Sequence, residues 1–310
     1  MSNENSCTLV GLGEILWDML PDGKKLGGAP ANFAYHAQAL GGRGVVVSCI
    51  GDDELGKEIL AIVDDLGLER RYIAVDNEHP TGTVTVKLDE NGKPDFTIHE
   101  NVAWDFIPCD DALLELAAQA DAVCFGSLCQ RKEVSRNTVR NFLQATKADC
   151  VRVFDINVRQ SYYSKDIVHL MLEISNVFKL NDDELPIVAR LLDIDGSETE
   201  ILAELTKRYG LRLVALTKGE NGSRLYSSEG DASLEGTPDI KVADSVGAGD
   251  AFTAATVMGL LKGHALDHIN EHASCVAAYV CSQSGATPSL PDGLKHDDKE
   301  VWYGVLNDCK

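Results

Sequence analysis

The 310-residue sequence has no excess of basic side chains, no cysteine pair at metal-binding spacing and no long apolar run. Its 28 lysines and arginines are outnumbered by 49 aspartates and glutamates, which gives a net charge of −21 at pH 7. A nucleic-acid-binding surface needs a basic face that neutralises phosphates, and an anionic membrane attracts polybasic segments. The composition therefore argues against nucleic-acid and membrane partners.

The nine cysteines are scattered and form no C-x-x-C pair, so zinc-ribbon and thioredoxin-type sites have no support. No apolar stretch reaches the roughly 20 residues that a membrane-spanning helix needs. The polar start of the chain, Met1–Asn5, lacks the features of a secretory signal. We therefore expect a cytoplasmic protein with reduced thiols.

Short β-branched runs alternate with longer helical patterns along most of the chain. The predicted strands are Thr8–Gly11, Val45–Ile50, Ala122–Gly126, Val151–Asp155, Val177–Leu180 and Leu211–Thr217. The predicted helices are Pro30–Leu40, Glu54–Leu66, Val134–Thr146 and Ser197–Tyr209. This alternation indicates an α/β fold with a mostly parallel sheet and helices on both faces. Ligands of such folds bind at the carboxyl ends of the strands.

The segment 72–106 interrupts this alternation with strand patterns and no helical pattern. Thr83–Leu88 alternates in polarity, Asp89–Gly92 has turn residues, and Asp95–His99 follows as a second strand. We expect a single domain over residues 1–310 with a small β insertion, which is either an edge decoration or a lid over the ligand site.

The most informative segment is Asp244–Asp250, which is followed by small apolar residues. Gly247 and Gly249 allow a sharp turn and a close approach of the backbone to a ligand. A helix should begin within this turn and end at Gly263, and its unpaired first amides suit an anion. Asp250 then either complements the helix dipole or acts as a general base for a hydroxyl nucleophile.

A second glycine turn, Gly27–Asn32, also leads into a helix, and Pro30 suits the first helical turn. Gly28 would let a small polyol approach the backbone, and Asn32 would hydrogen-bond to its hydroxyls. Asp18 is a candidate partner for a second hydroxyl. A neutral sugar needs carboxylates and amides of this kind, although a plain loop would also explain the segment.

Asn181 and Glu184 follow a predicted strand and share one helix face. Their oxygens could hold Mg²⁺, either directly or through its retained waters. The alternative interpretation is an N-cap followed by acids in the first helical turn.

Two other glycine motifs do not support phosphate or dinucleotide sites. Gly51–Lys57 has the spacing of a Walker loop, but Glu58 stands where a Ser or Thr would hold magnesium. Gly11–Gly13 follows a strand, but Leu16 replaces the third glycine of a dinucleotide fingerprint. A nicotinamide dehydrogenase is therefore a weakly supported alternative.

Together these segments resemble the PfkB-type family of carbohydrate kinases, which contains ribokinases and fructokinases. Asp244–Asp250 and Gly27–Asn32 match its two signature regions. The resemblance extends from about Leu9 to Pro291. Its intermediate landmarks occur in the order of the family, at Asp155–Arg159, Lys179–Glu184 and Thr217–Gly222.

This resemblance implies a three-layer α/β/α sandwich of the ribokinase-like type, with a β lid formed by about residues 14–26 and 72–106. It implies phosphoryl transfer from ATP to a primary sugar hydroxyl, with Mg²⁺ and, as in ribokinase-like members, K⁺. A homodimer through the lid is a further expectation.

The resemblance also assigns roles to individual residues. Asp250 looks like the catalytic base, and Gly247, Ala248 and Gly249 look like the anion hole. The positions that resemble the sugar site are Asp18, Gly28, Asn32 and Arg159. The nucleotide site is matched at Asn181, Thr217, Gly219 and Gly222, and Glu184 matches the magnesium-linked position. The positions that match monovalent-cation ligands are Asp244, Val246, Val280, Gln283, Gly285 and Ser289.

Sub-family features point to fructose as the substrate. Gly13–Asp18 and Ala103–Ile107 look like bacterial fructokinases, and Ala29-Pro30 replaces a lysine-glycine pair of ribokinases. Arg159 leaves two interpretations open, because it could hydrogen-bond a neutral sugar or bind the carboxylate of 2-keto-3-deoxygluconate. The alternatives are therefore a 2-keto-3-deoxygluconate kinase, a ribokinase and a catalytically silent sugar-binding regulator.

Overall fold

The computed structural model describes residues 6–21, 23–88, 94–296 and 298–309, which form two sheets and the helices around them. The strands are β1 Thr8–Leu12, β2 Leu16–Leu20, β3 Gly23–Gly27, β4 Arg43–Gly51, β5 Ile73–Asp76, β6 Thr83–Leu88, β7 Pro94–Ile98, β8 Ala122–Phe125, β9 Val151–Asp155, β10 Val177–Asn181, β11 Leu213–Thr217, β12 Gly222–Tyr226 and β13 Asp231–Glu235. The helices are α1 Ala29–Ala39, α2 Glu54–Asp65, α3 Asp111–Gln119, α4 Glu133–Ala145, α5 Lys165–Ile174, α6 Glu184–Leu191, α7 Glu198–Tyr209, α8 Ala248–Lys262, α9 Leu266–Cys281, α10 Asp292–Lys295 and α11 Lys299–Asn307.

The large sheet has nine strands in the order β13-β12-β11-β10-β9-β8-β1-β4-β5. The seven strands from β11 to β5 pair in parallel, and β12 and β13 add antiparallel at one edge. The central strands are buried on both faces, as expected for parallel strands covered by helices. The predicted α/β fold with a mostly parallel sheet is confirmed.

Successive side chains of each strand enter different cores. Val153 of β9 belongs to the core that also contains residues of α1, α8 and α9, whereas Phe154 belongs to the core shared with α3 to α7. In this second core Phe125, Phe154 and Phe178 stack from neighbouring strands, with ring centroids 5.7 and 5.6 Å apart. Because both faces are covered, the ligand-accessible part of the sheet is the edge where the strands end.

Helix α8 is enclosed by its neighbours over most of its length. All residues from Ala251 to Leu260 are buried, and a Cβ on Gly259 would lie 2.7 Å from Ile269 of α9. The helix is capped by Gly247 at its start and by Gly263 at its end, as the sequence predicts. Within the described ranges, no helix is both long and apolar enough to cross a membrane.

The second sheet is small and has the order β3-β2-β6-β7. The predicted hairpin is confirmed, because β6 and β7 pair antiparallel, while the predicted turn Asp89–Gly92 lies outside the described residues. The sheet contacts the loop that follows β9, where Gln160 Nε2 donates to the carbonyl of Phe96 at 2.6 Å. It therefore lies next to the edge of the large sheet where a ligand would bind.

Candidate active site

The two glycine turns singled out in the sequence converge at Asp250. Asn32 Nδ2, in the first turn of α1, donates to Asp250 Oδ2, in the first turn of α8, at 2.8 Å. The residue before each helix is a glycine with positive φ, 120° at Gly28 and 81° at Gly247. The fold thus places the start of α1 and the start of α8 side by side, although 218 positions separate the two side chains.

Both glycines are also required by close contacts. A Cβ on Gly28 would lie 2.4 Å from the carbonyl oxygen of Glu14, and one on Gly247 would lie 2.5 Å from that of Ala286. Real Cβ atoms do not approach backbone this closely, so a side chain at either position would displace the turn. The glycine pattern therefore reflects tight packing as well as backbone conformation.

A buried ion pair lies beside Asp250. Lys179 Nζ donates to Asp155 Oδ1 and Thr253 Oγ1 donates to Asp155 Oδ2, both at 3.3 Å. The parallel pairing of β9 and β10 places Lys179 opposite Asp155. A Cβ on Gly249 would lie 3.3 Å from Lys179 Nζ, so this ammonium is next to the first turn of α8. Asp155, Asp250 and Thr253 line the same small cavity.

These neighbours set the protonation of Asp250. Burial raises its pKa to about 7 and the negative charge of Asp155 adds to the effect, while the hydrogen bond from Asn32 and the charges of Lys179 and Arg159 oppose it. For Lys179, burial would lower the pKa, but the surrounding carboxylates outweigh burial and raise it. Lys179 therefore stays protonated while Asp250 titrates near neutral pH.

A second carboxyl group, Glu14, is buried nearby. It is 3% exposed, and its Oε2 atom has no hydrogen-bond partner among the described residues. Burial raises the pKa of Glu14 to about 7; Arg159 lowers it and Asp250 raises it. The electrostatic coupling to both residues puts Glu14 in the same acidic environment as Asp250. No sequence motif marks Glu14, Lys179 or Asp155 as a residue of the candidate site.

The remaining predicted sugar positions lie in this environment. Burial raises the pKa of Asp18, and the charge of the exposed Arg159 opposes this rise. Asp18 Oδ2 lies against the backbone of Gly27, since a Cβ there would be 2.5 Å from it. Asp18 therefore lies beside the glycine turn that contains Gly28, and Arg159 interacts electrostatically with both Asp18 and Asp250.

Asn181 and Glu184 hold each other through backbone amides. The amide of Glu184 donates to Asn181 Oδ1 at 2.9 Å, and the amide of Asn181 donates to Glu184 Oε2 at 2.8 Å. Glu184 Oε1 accepts from the amide of Val158 at 2.7 Å. Each carboxylate oxygen keeps a further lone pair, so Glu184 could contact Mg²⁺ directly or through one of the waters that the ion retains. Among the described residues, no cluster of three or more His, Cys, Asp or Glu side chains is placed to hold a metal ion.

The predicted nucleotide turn begins next to Asn181, because Thr217 pairs with Asn181 across β10 and β11. The amide of Lys218 donates to the carbonyl of Gly222 at 2.8 Å and closes the turn. Gly222 has φ of 100°, and a Cβ there would lie 1.9 Å from the carbonyl oxygen of Leu234. Gly219, with φ of 52°, starts the 3-10 turn that connects β11 to β12.

The positions assigned to a monovalent cation lie where the loop before α8 meets the end of α9. Asp244 Oδ1 accepts from the amide of Val246 at 3.1 Å, and Asp244 Oδ2 accepts from the amide of Gly285 at 3.3 Å. The amide of Gln283 donates to the carbonyl of Val280 at 3.0 Å. These contacts fix the loop that leads into Gly247.

The profile described as pfkB family carbohydrate kinase matches residues 22–293, which is most of the chain. The chain belongs to this family. It is a phosphotransferase of the carbohydrate-kinase class. The fructokinase of Salmonella typhimurium is 28% identical over 298 residues, which cover 90% of this chain and 95% of that protein. Fructokinase-2 of Oryza sativa subsp. japonica is 28% identical over 310 residues, which cover 91% of this chain and 90% of that protein.

Solved structures of sugar kinases have the same fold as this carbohydrate kinase. A sugar kinase of Pyrococcus horikoshii has a TM-score of 0.80 at 26% identity, covering 96% of this chain and 100% of that one. The fructokinase of Xylella fastidiosa has a TM-score of 0.81 at 20% identity, covering 97% of this chain and 98% of that one. The predicted ribokinase-like fold is confirmed.

Proposed function

We propose that this carbohydrate kinase transfers the γ-phosphate of ATP to the primary hydroxyl of D-fructose and forms fructose 6-phosphate. The observation that carries the proposal is the contact between Asn32 and Asp250 at the start of α8, at 2.8 Å. It combines a hydroxyl-binding amide, a carboxylate that titrates near neutral pH and the amide end of a helix. Fructokinases among the relatives give independent support.

In the proposed reaction, Asp250 accepts the proton of the sugar hydroxyl while the hydroxyl oxygen bonds to the γ-phosphorus. The bond from that phosphorus to the bridging oxygen breaks, and ADP leaves with the bond's electron pair. The amides of Gly247–Gly249 and the dipole of α8 stabilise the negative charge on the transferred group. Lys179 adds a fixed positive charge beside this turn.

The nucleotide would be held by Asn181, Thr217, Gly219 and Gly222, as the family resemblance implies. The structure of the Xylella fastidiosa fructokinase contains bound ATP, and that of a ribokinase from E. coli contains ATP and Mg²⁺. Glu184 would hold Mg²⁺ through a water, and the ion would neutralise charge on the phosphates.

The charges around Arg159 favour a neutral sugar over an acid. Arg159 interacts electrostatically with Glu14, Asp18 and Asp250. A substrate carboxylate bound to Arg159 would lie close to these acidic groups, whereas sugar hydroxyls can donate hydrogen bonds to them. This difference supports fructose over 2-keto-3-deoxygluconate.

The small sheet would act as a lid, formed by about residues 14–26 and 72–106. The contact between this sheet and Gln160, in the loop after β9, supports a closure that would exclude water, which competes as phosphoryl acceptor. Met19 and Phe96 of this sheet are 36% and 50% exposed, which supports a homodimer through the lid. Sedimentation equilibrium measures the mass, and a monomer at all concentrations would exclude that dimer.

A sugar panel tests the proposal. With ATP and Mg²⁺, we expect kcat/KM for fructose to exceed that for ribose and 2-keto-3-deoxygluconate by at least about tenfold. Asp18→Asn is the matched variant, because it replaces one acceptor oxygen for a sugar hydroxyl and removes a negative charge near Arg159. Its kcat/KM for fructose should therefore fall more than its kcat/KM for 2-keto-3-deoxygluconate.

The other outcomes distinguish the alternatives. A higher kcat/KM for 2-keto-3-deoxygluconate or for ribose would contradict the proposal of fructose and identify that sugar as the preferred substrate. Binding of sugar without any turnover of ATP would instead support a regulatory protein that has lost catalysis.

A further inference from the structure

A lysine of the small sheet contacts the loop in front of α8. Lys25 Nζ lies 3.3 Å from Asp244 Oδ2, and 219 positions separate the two residues. The side chain of Asp244 is 19% exposed and that of Lys25 is 48% exposed. Lys25 belongs to β3, which runs directly into the glycine turn of the sugar site. A positive charge from the small sheet is thus placed beside the loop that leads into the proposed anion hole.

The family resemblance assigns Asp244 to a monovalent cation, but its oxygens already accept hydrogen bonds from nitrogen donors. Oδ2 accepts from Lys25 and from the amide of Gly285, and Oδ1 accepts from the amide of Val246. A carboxylate oxygen has two lone pairs, so Oδ2 has none left for a metal ion. Oδ1 keeps one lone pair, but a cation bound there would lie close to the ammonium of Lys25, and the two positive charges would repel each other. The only charged member of the set can therefore pair with Lys25 or with a cation, and Lys25 occupies the position in this structure.

Two carbonyl groups of the same set also have partners. The carbonyl of Val280 accepts from the amide of Gln283 at 3.0 Å, and that of Ser289 accepts from the hydroxyl of Tyr279 at 3.2 Å. These bonds close the chain around the end of α9. The loop itself is tied to the same place, because the amides of Ala243 and Asp244 donate to the carbonyl of Cys281 at 2.8 and 3.2 Å.

We infer that the ammonium group of Lys25 takes the place of the monovalent cation beside Asp244, so that this kinase does not depend on potassium. An ammonium carries the same single charge as K⁺ and satisfies Asp244 through a hydrogen bond. Lys25 is a positioning residue, because it acts through Asp244 on the loop that ends at Gly247. The inference rests on the proposed kinase reaction only where activity is measured.

Thermal unfolding tests the inference without nucleotide or sugar. The midpoint is measured in choline, sodium and potassium chloride at equal ionic strength, and we expect the wild-type value to be the same in all three. Lys25→Met removes the charge but keeps an apolar stem, so its midpoint should fall in choline chloride and rise specifically with potassium. Lys25→Arg keeps the charge and should behave like the wild type.

Lys24→Met is the matched control. Lys24 is the preceding residue of β3, but it pairs with Glu58 and its ammonium lies 4.7 Å from the ring centroid of Trp17. Its loss should leave the three midpoints equal to one another. This control separates the loss of any lysine on β3 from the loss of the charge at Asp244.

Kinetics provide the second measurement, with the sugar that the panel identifies. Lys25→Met should lose about 1.5- to fivefold in kcat/KM, the effect expected for one half-exposed ion pair, and potassium should restore the loss. A potassium-specific rise in the wild-type midpoint or turnover would overturn the inference, as would a Lys25→Met protein that does not respond to potassium. If no sugar is phosphorylated, the proposed function fails, but the unfolding midpoints still decide the role of Lys25.

Discussion

At the scale of residues, the site depends on charged groups that the fold partly removes from water. Burial raises the pKa of Asp250 and the negative charge of Asp155 adds to the rise, while the Asn32 amide and the Lys179 ammonium oppose it. A general base is most effective when its pKa lies near the working pH. The surroundings of Asp250 raise its pKa from the ordinary value of 3.8 to about 7.

The pH profile of the proposed reaction follows from this environment. Asp250 must be ionised to accept a proton, so kcat/KM should rise with pH and level off above about 7, falling about tenfold per pH unit below that value. Asp155→Asn removes a negative charge that raises the pKa of Asp250, and it should move the acid limb to lower pH. Because Glu14 also titrates near 7, the measured value belongs to the pair. A profile that is flat between about pH 5 and 8 would contradict this assignment of the base.

The sequence predicts some of these residues and not others for a physical reason. Asp250 and Asn32 are marked by adjacent glycines, because the turns that present them need unusual backbone geometry. Lys179 had a usable signal, since a lysine inside an apolar buried strand needs a partner. Glu14 had none, because its burial results from elements that are distant in the sequence.

At the scale of elements, the two ends of α8 place different demands on glycine. Gly247 and Gly263 both have positive φ, 81° and 73°. A Cβ at Gly247 would collide with the backbone of Ala286, whereas one at Gly263 would meet nothing within 4 Å. The start of α8 is therefore fixed by packing against the segment that follows α9, while the end of α8 requires only a left-handed residue.

Two alanine substitutions separate the packing requirement at Gly247 from the purely conformational requirement at Gly263. Gly263→Ala should lower the free energy of unfolding by about 1 kcal/mol and leave turnover unchanged. Gly247→Ala must also displace the turn, so we expect the free energy of unfolding to fall by about 2–4 kcal/mol. Turnover should fall by at least about tenfold. Denaturant unfolding and steady-state kinetics measure both effects. Equal effects of the two substitutions on turnover would argue against a role for the turn in phosphate binding.

The accuracy of the predicted elements follows from what stabilises them. The buried strand Val151–Asp155 has the predicted bounds, and the helix predicted at Val134–Thr146 is Glu133–Ala145, because periodicity and caps are local signals. No local pattern predicts the strand β3, Gly23–Gly27, because its sequence has two lysines between glycines. Only the family resemblance indicates β structure there, in the lid over about residues 14–26. The conformation of β3 comes from pairing with β2, which a local pattern does not reveal.

At the scale of the whole molecule, an acidic protein is proposed to bind a polyanion. The net charge is −21, yet Lys179 and the first amides of α8 supply positive potential where the phosphate would lie. The overall charge therefore argues against binding through a basic surface, but it is compatible with an anion site built from backbone amides. Sequence motifs indicate the segments of the proposed site, whereas the ion pair between Lys179 and Asp155 is visible only in the fold.

The most direct test of the account compares turnover and nucleotide affinity in Asp250→Asn. We expect turnover to fall by about 10²–10⁴-fold, while the Kd of a non-hydrolysable ATP analogue stays close to the wild-type value. The variant should fold at least as stably above about pH 7, because ionisation of Asp250 is disfavoured in the folded state and costs stability as pH rises through its pKa. Near-normal turnover in a folded Asp250→Asn protein would contradict the claim that this carboxylate accepts the proton of the sugar.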